Sequence, residues 1–252
     1  LREAVIKEAI NYLSLPKGSR GLDAGCGIGL HLPMLAEAIG ENGHIVGLDL
    51  SAEFLEYAEK FVNETNCSGQ ITFQKGNVNH LPFEESFFDW VWSVDCIGYA
   101  PMDLLSVLKG LSRVIKPGGI IAVMAWSSQQ LLPGYPELEA KLNATPTGIA
   151  PFTRGSQPER HLFRSIGWFE KAGLTEITAK AFTGEAYAPL SSVMKQALLS
   201  LIDMRWNGAE LNSEDSNKFQ RLCNPDSPDF ILDLPDYYAF FTYTMFYGRV
   251  AV

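Results

Sequence analysis

The stretch Arg20-Gly-Leu-Asp-Ala-Gly-Cys-Gly-Ile-Gly29 constrains this chain more than any other segment. A short apolar run ends at Asp23, and glycines follow on alternate positions, at Gly25, Gly27 and Gly29. A helix-like run from Leu30 to Ile39 comes next. Glycine lacks the Cβ that would hold a ligand off the backbone, and it tolerates positive φ. A strand, a tight glycine turn and a helix N-terminus predict a cradle of N–H donors aimed at one small polar ligand.

The spacing separates this turn from the dinucleotide fingerprint G-x-G-x-x-G, whose third glycine would fall on Leu30. Here the pattern is D-x-G-x-G-x-G, with an acid two residues ahead of the first glycine. It resembles motif I of the class I S-adenosylmethionine-dependent methyltransferases. That ligand carries an ammonium and a sulfonium, which suit Asp23 better than a pyrophosphate would. The resemblance implies that Asp23, Gly25, Cys26, Gly27 and Gly29 hold the cofactor, with His31 next to them.

Further stations follow in order. Asp49 closes the second predicted strand, 24 residues after Gly25, where a carboxylate can accept ribose hydroxyls. Its alternative is a cap for the next helix, a task that Ser51 also fits. Leu50 would pack beneath adenine. Gly76-Asn-Val-Asn-His-Leu-Pro-Phe83 is similar to the family's G-D-x-x-x-L-P-F segment and implies adenine contacts from Asn77 and Val78. Asn replaces the usual Asp there, and an Asx turn is the competing role. Phe88 to Asp95 resembles the family's fourth strand, implying that the Ser93 and Val94 carbonyls meet the methionine moiety. Arg113-Val-Ile-Lys-Pro-Gly-Gly119 is similar to its L-K-P-G-G turn, an architectural element. Asp95, Tyr99 and Trp126 are candidates on the acceptor side; pocket lining is the plainer role for each.

Helical and strand periods alternate through residue 126. Apolar positions 5, 6, 9, 10 and 13 share one helix face. Ala52 to Glu64 has an apolar face of Phe54, Leu55, Ala58, Phe61 and Val62. A helix from about Met102 to Ile115 precedes a strand from Ile120 to Trp126. The expected fold is α/β: a Rossmann-like, seven-stranded, mostly parallel sheet with helices on both faces and an inserted, partly helical cap. The expected organisation is a cofactor-binding core over 1–126, an irregular insertion over 127–160 and a return to the core over 161–184. A helical insertion over 185–236 and a final strand over 237–252 complete it. The insertions and their borders hold Trp126, Tyr135, Phe152, Phe163, Trp168, Tyr187 and Trp206. At such spacing aromatic residues are usually core, yet they would also suit an apolar or aromatic acceptor.

Composition narrows the partners. The net charge is −9 and no basic run occurs, which argues against a nucleic-acid partner. Four scattered cysteines make no C-x-x-C pair, so no metal site is expected and a reducing compartment is. No apolar run is long enough for a membrane span, and no signal-peptide pattern stands at Leu1. The expectation is a cytoplasmic enzyme that uses S-adenosylmethionine to methylate a small molecule, with no membrane partner. A non-catalytic cofactor-binding protein would look the same in sequence; a nicotinamide oxidoreductase is disfavoured by the missing third glycine.

Overall fold

A computed structural model describes residues 1–98, 103–149 and 158–252. In chain order its elements are α1 (Glu3–Leu13), β1 (Arg20–Ala24), α2 (Leu32–Ile39), β2 (His44–Asp49), α3 (Ala52–Asn63), β3 (Ile71–Lys75), β4 (Phe88–Val94) and α4 (Leu104–Val114). There follow β5 (Ile115–Gln130), α5 (Pro136–Asn143), α6 (Pro146–Ile149), α7 (Ser165–Lys171), β6 (Leu174–Tyr187), α8 (Ser192–Trp206), α9 (Ser213–Cys223) and β7 (Tyr238–Val250). The strands form one seven-stranded sheet in the order β3-β2-β1-β4-β5-β7-β6. The pairs β3–β2, β2–β1, β1–β4 and β4–β5 are parallel. Strand order reverses between β1 and β4, and such a switch point opens a crevice at the carboxyl ends of the strands.

The chain packs as two compact units. One comprises residues 5–126, 157–182 and 244–252; the other comprises 1–4, 127–156 and 183–243. In the first, Leu22, Ala24, Ile45, Leu48, Phe88, Trp90, Trp92 and Ile121 are almost wholly enclosed. Burial on both faces explains why these strands read as continuous apolar runs. In the second, Leu138, Leu142, Leu198, Ile202, Trp206 and Ile231 form the core. Two polar anchors hold it. The Glu139 carboxylate accepts from the Leu131 and Leu132 N–H groups at 2.9 Å each and from Gln130 Nε2 at 2.7 Å. Asn143 Oδ1 accepts from Gln129 Nε2 at 2.8 Å and from Trp206 Nε1 at 3.0 Å.

Several local expectations need correction. The second helix begins at Leu32, not Leu30, because Pro33 sits in its first turn while Gly29 to His31 still belong to the bend. β5 starts five residues earlier than Ile120 and runs to Gln130, since the pairing Phe88↔Ile115 draws the Lys-Pro-Gly-Gly turn into the strand. Segment 127–160, read as irregular, contains α5 and α6. Pro136 and Pro146 stand at the first positions of these helices, where no N–H is needed. On α3, Phe54 and Phe61 are exposed and only Leu55, Ala58 and Val62 are buried, so the apolar stripe is wider than the core it meets. In the segment expected to return to the core from 161, α7 begins at Ser165, after a 3₁₀ turn over Leu162–Arg164. Of the aromatic residues, Trp126, Trp168 and Trp206 are core, Phe163 and Tyr187 are exposed, and Phe152 lies outside the described residues.

Candidate active site

Register brings the stations together. Ala24 pairs with Leu48, Asp23 with Trp92, and Asp49 with Lys75. The carboxyl ends of β1, β2, β3 and β4 therefore finish nearly level, and Gly25, Asp49, Gly76 and Asp95 leave the sheet from one edge. Ser93 tightens this alignment: its buried hydroxyl donates to the Ala24 carbonyl at 2.7 Å. Val94, the next residue, is also buried.

The glycine N–H groups of the turn, with that of Cys26, point inward rather than forming a cradle of outward donors. Gly25 and Cys26 both donate to the Leu48 carbonyl, at 2.8 and 3.0 Å. Gly27 donates to Asp49 Oδ2 at 2.9 Å, and Gly29 donates to the Cys26 carbonyl at 2.9 Å. The first three of these donors fold the turn onto β2, because an enclosed N–H must find an acceptor. A pyrophosphate would find the same four groups already engaged. At Gly25, φ is +80° and an added Cβ would fall 2.3 Å from Cys96 Sγ, so glycine is required here by the thiol behind it. At Gly27, φ is +53° and an added Cβ would meet nothing within 4 Å; it would occupy open space at the mouth of the turn.

Asp49 is half-buried and uses each oxygen once, accepting from Gly27 N–H through Oδ2 and from Ser51 N–H through Oδ1 at 2.9 Å. Each oxygen keeps a further lone pair. Ser51, not Asp49, caps α3, its hydroxyl accepting from Phe54 N–H at 3.2 Å. Leu50 is 65% exposed, an apolar side chain standing in solvent directly after Asp49. Asn77 makes the Asx turn that competed with its adenine role: Oδ1 accepts from the Asn79 N–H and from Asn79 Nδ2, both at 2.9 Å. Val78 beside it is buried.

His31 occupies the position before α2 and makes no side-chain cap there. Its ring meets Trp92 edge-on, with centroids 6.3 Å apart. Asp95 takes a left-handed conformation, φ +51°, uncommon for a residue with a Cβ. Its N–H donates to the Met124 carbonyl at 2.9 Å, and its Oδ1 accepts from Trp126 N–H at 3.0 Å. Asp95 thus ties the end of β4 to β5 and fixes Trp126, which is core. Tyr99 lies outside the described residues.

Two buried polar atoms have no hydrogen-bond partner here: Asp23 Oδ2 and Trp92 Nε1. Their residues are cross-strand partners on one face of the sheet. Sequence reasoning missed Trp92 and Cys96; the D-x-G-x-G-x-G pattern concerns only one of the strands involved. Burial, and secondarily the Asp49 charge, push the Asp23 carboxyl up to about 8. Burial likewise raises the Cys96 thiol to about 11. An enclosed, unpaired carboxylate and strongly shifted groups at a crevice mark a functional site.

Residues 22–119 match the family model of the methyltransferase domain. The chain is 33% identical over 193 residues to the demethylmenaquinone methyltransferase of Lysinibacillus sphaericus, spanning 72% of this chain and 80% of that protein. This chain belongs to the class I S-adenosylmethionine-dependent methyltransferases. Solved structures agree on the fold. A SAM-dependent methyltransferase from Aquifex aeolicus superposes with a TM-score of 0.51 at 22% identity, covering 69% of this chain and 80% of its own. Geranyl diphosphate C-methyltransferase from Streptomyces coelicolor gives 0.58 at 16% identity, covering 100% and 81%.

The residues present fit the methyltransferase cofactor. The ligand's positive charges answer the unpartnered Asp23 Oδ2, and the N–H groups of Gly25, Cys26, Gly27 and Gly29 are engaged within the protein. The enzyme uses S-adenosylmethionine, the cofactor of its family. Among the described residues no group of three or more His, Cys, Asp or Glu side chains is placed to hold a metal ion, and no helix is long and apolar enough to cross a membrane.

Proposed function

We propose that this methyltransferase transfers the methyl group to a small apolar or aromatic acceptor of the demethylated quinone class, within the cytoplasm. The observation that carries the cofactor half is the enclosed Asp23 carboxylate with an unpartnered oxygen at the switch point of the sheet. The names of relatives near 30% identity, demethylmenaquinone methyltransferases from Lysinibacillus sphaericus and Bacillus licheniformis, support the acceptor half.

When bound, S-adenosylmethionine supplies a methyl group on a sulfonium sulfur, open to in-line attack. In our reading Asp23 balances the cationic end, and the turn Gly25, Cys26, Gly27, Gly29 with His31 encloses it. Asp49 accepts the ribose hydroxyls through the lone pairs left by Gly27 and Ser51. Leu50, Asn77 and Val78 border the adenine, and the Ser93 and Val94 carbonyls border the methionine. Asp95, at the end of β4, is assigned to the acceptor side. Fixing acceptor and donor in line supplies the larger part of catalysis at such an electrophile.

The test is methyl transfer from labelled S-adenosylmethionine to a panel of short-chain demethylated naphthoquinols, catechols and amines. Transfer to the quinols with at least tenfold preference in kcat/KM over the amines is expected. Preference for amines sinks the acceptor assignment.

A further inference from the structure

Two carboxylates are buried among the described residues, Glu139 and Asp23. Burying a charge is costly unless hydrogen bonds or an opposite charge compensate. Glu139 meets this demand with two backbone N–H groups and an amide. Asp23 does not: it is 1% exposed, and among the described residues Oδ2 has no hydrogen-bond donor. The groups around it make ionisation harder. Asp49 stands at the end of β2 and places a second negative charge against it. The Cys26 thiol on the turn and the Cys96 thiol after β4 interact with the same carboxyl, and burial holds both thiols neutral. On β4 its cross-strand partner is Trp92, whose indole meets the His31 ring edge-on.

Resting on the cofactor reading above, we propose that Asp23 holds a proton in the cofactor-free enzyme and releases it when the cationic end of S-adenosylmethionine binds. Cofactor binding is then a proton-coupled event, and affinity is set by pH through one buried carboxyl. The balance is simple. The Asp23 O–H bond breaks, the electron pair stays on the carboxylate, and the proton leaves to the buffer. No oxidant or co-reactant takes part. Before binding, burial and then the Asp49 charge hold the carboxyl near 8; afterwards a positive charge favours the ionised form. Affinity must therefore rise with pH below about 8.

Calorimetry at about pH 6.5 in two buffers of different ionisation enthalpy counts the protons; the ligand's α-amino group, near ~8, is already charged there. Release of roughly one proton per S-adenosylmethionine is expected, with affinity rising about tenfold per pH unit between roughly 6 and 7.5. Uncharged 5′-methylthioadenosine should bind without proton release. Asp23→Asn should abolish the release and flatten the pH dependence. Infrared difference spectra of the unmodified enzyme give an independent reading: a protonated carboxyl C=O band should vanish on adding S-adenosylmethionine. Binding without proton release, or release that persists in Asp23→Asn, overturns the coupling alone. Failure of S-adenosylmethionine to bind at any pH overturns the cofactor reading, and the coupling with it.

Discussion

Trp90 and Trp92 stand two residues apart on β4 and face the same side of the sheet, yet their indoles meet different fates. Trp90 Nε1 donates to Ser19 Oγ at 2.8 Å. Trp92 Nε1 is buried without a partner. The same contrast divides the carboxylates at the two ends of these strands. At the amino end, Asp89 accepts from Arg20 N–H and from Lys116 Nζ, both at 2.7 Å. Although partial burial pushes its carboxyl up, Lys116 and the Arg20 N–H hold it below the ordinary value. At the carboxyl end, Asp23 has no such partner and is pushed the other way. At the amino end the Asp89 carboxylate and the Trp90 indole are satisfied; at the carboxyl end Asp23 Oδ2 and Trp92 Nε1 are left uncompensated by the fold alone. Buried polar groups are normally satisfied, so this imbalance locates the working end.

The contrast is open to direct attack, and the largest effect should come from Gly25→Ala. Its Cβ would collide with Cys96 Sγ at a φ of +80°, so destabilisation of about 3 kcal/mol and loss of measurable cofactor binding are expected. Thermal unfolding and calorimetry check this; near-normal binding would mean that the turn tolerates rearrangement. Next comes Asp23→Asn in the cofactor-free state. A carboxyl raised in the folded protein keeps its proton up to about 8, while the unfolded chain loses it in the ordinary carboxylate range. Native stability from this group therefore falls as pH rises from about 4 towards 8. The amide removes that loss, so the variant should gain up to about 4 kcal/mol at pH 8 relative to pH 5 in urea titrations. A variant that is less stable at pH 8 would reverse the assignment.

Asp49→Ala should weaken S-adenosylmethionine binding more than about tenfold, or ~1.4 kcal/mol, through the ribose hydroxyls and the freed Gly27 N–H. Unchanged affinity would remove Asp49 from the cofactor site. The smallest effect belongs to the satisfied end. Asp89→Asn should cost about 1 kcal/mol of stability, discounted for exposure of the Lys116 pair, and leave cofactor affinity alone. Its sign with pH is opposite to that of Asp23. A lowered carboxyl contributes stability above the ordinary carboxylate range, lost as pH falls through it, so wild type and variant should converge in acid. A loss of cofactor binding in this variant would erase the distinction between the two ends.

Much of this was legible along the chain because it is local. The face of α1 follows from its apolar spacing, and Val5, Ile6, Ala9, Ile10 and Leu13 are the residues buried. Ser51 and Ser191 cap their helices as residue type predicts, and Gly173 at φ +81° follows α7 as a left-handed terminator should. What failed was not local. The length of β5 depends on the strand beside it, and the helices within 127–160 carry too few periodic positions to declare themselves. The exposure of Phe54 and Phe61 depends on how much of α3 the sheet covers.

The sequence by itself determined the succession of strand, glycine turn and helix, the acid ahead of the turn, and the order of the later stations. Each is a property of neighbouring residues and their allowed torsions. Only the tertiary structure decided where the turn's N–H groups go, that Cys96 stands behind Gly25, and that Asp23 and Trp92 share one face with nothing between strands to satisfy them. Those outcomes depend on register between strands far apart in the chain, and burial, which sets the charge on Asp23, exists only once they have paired.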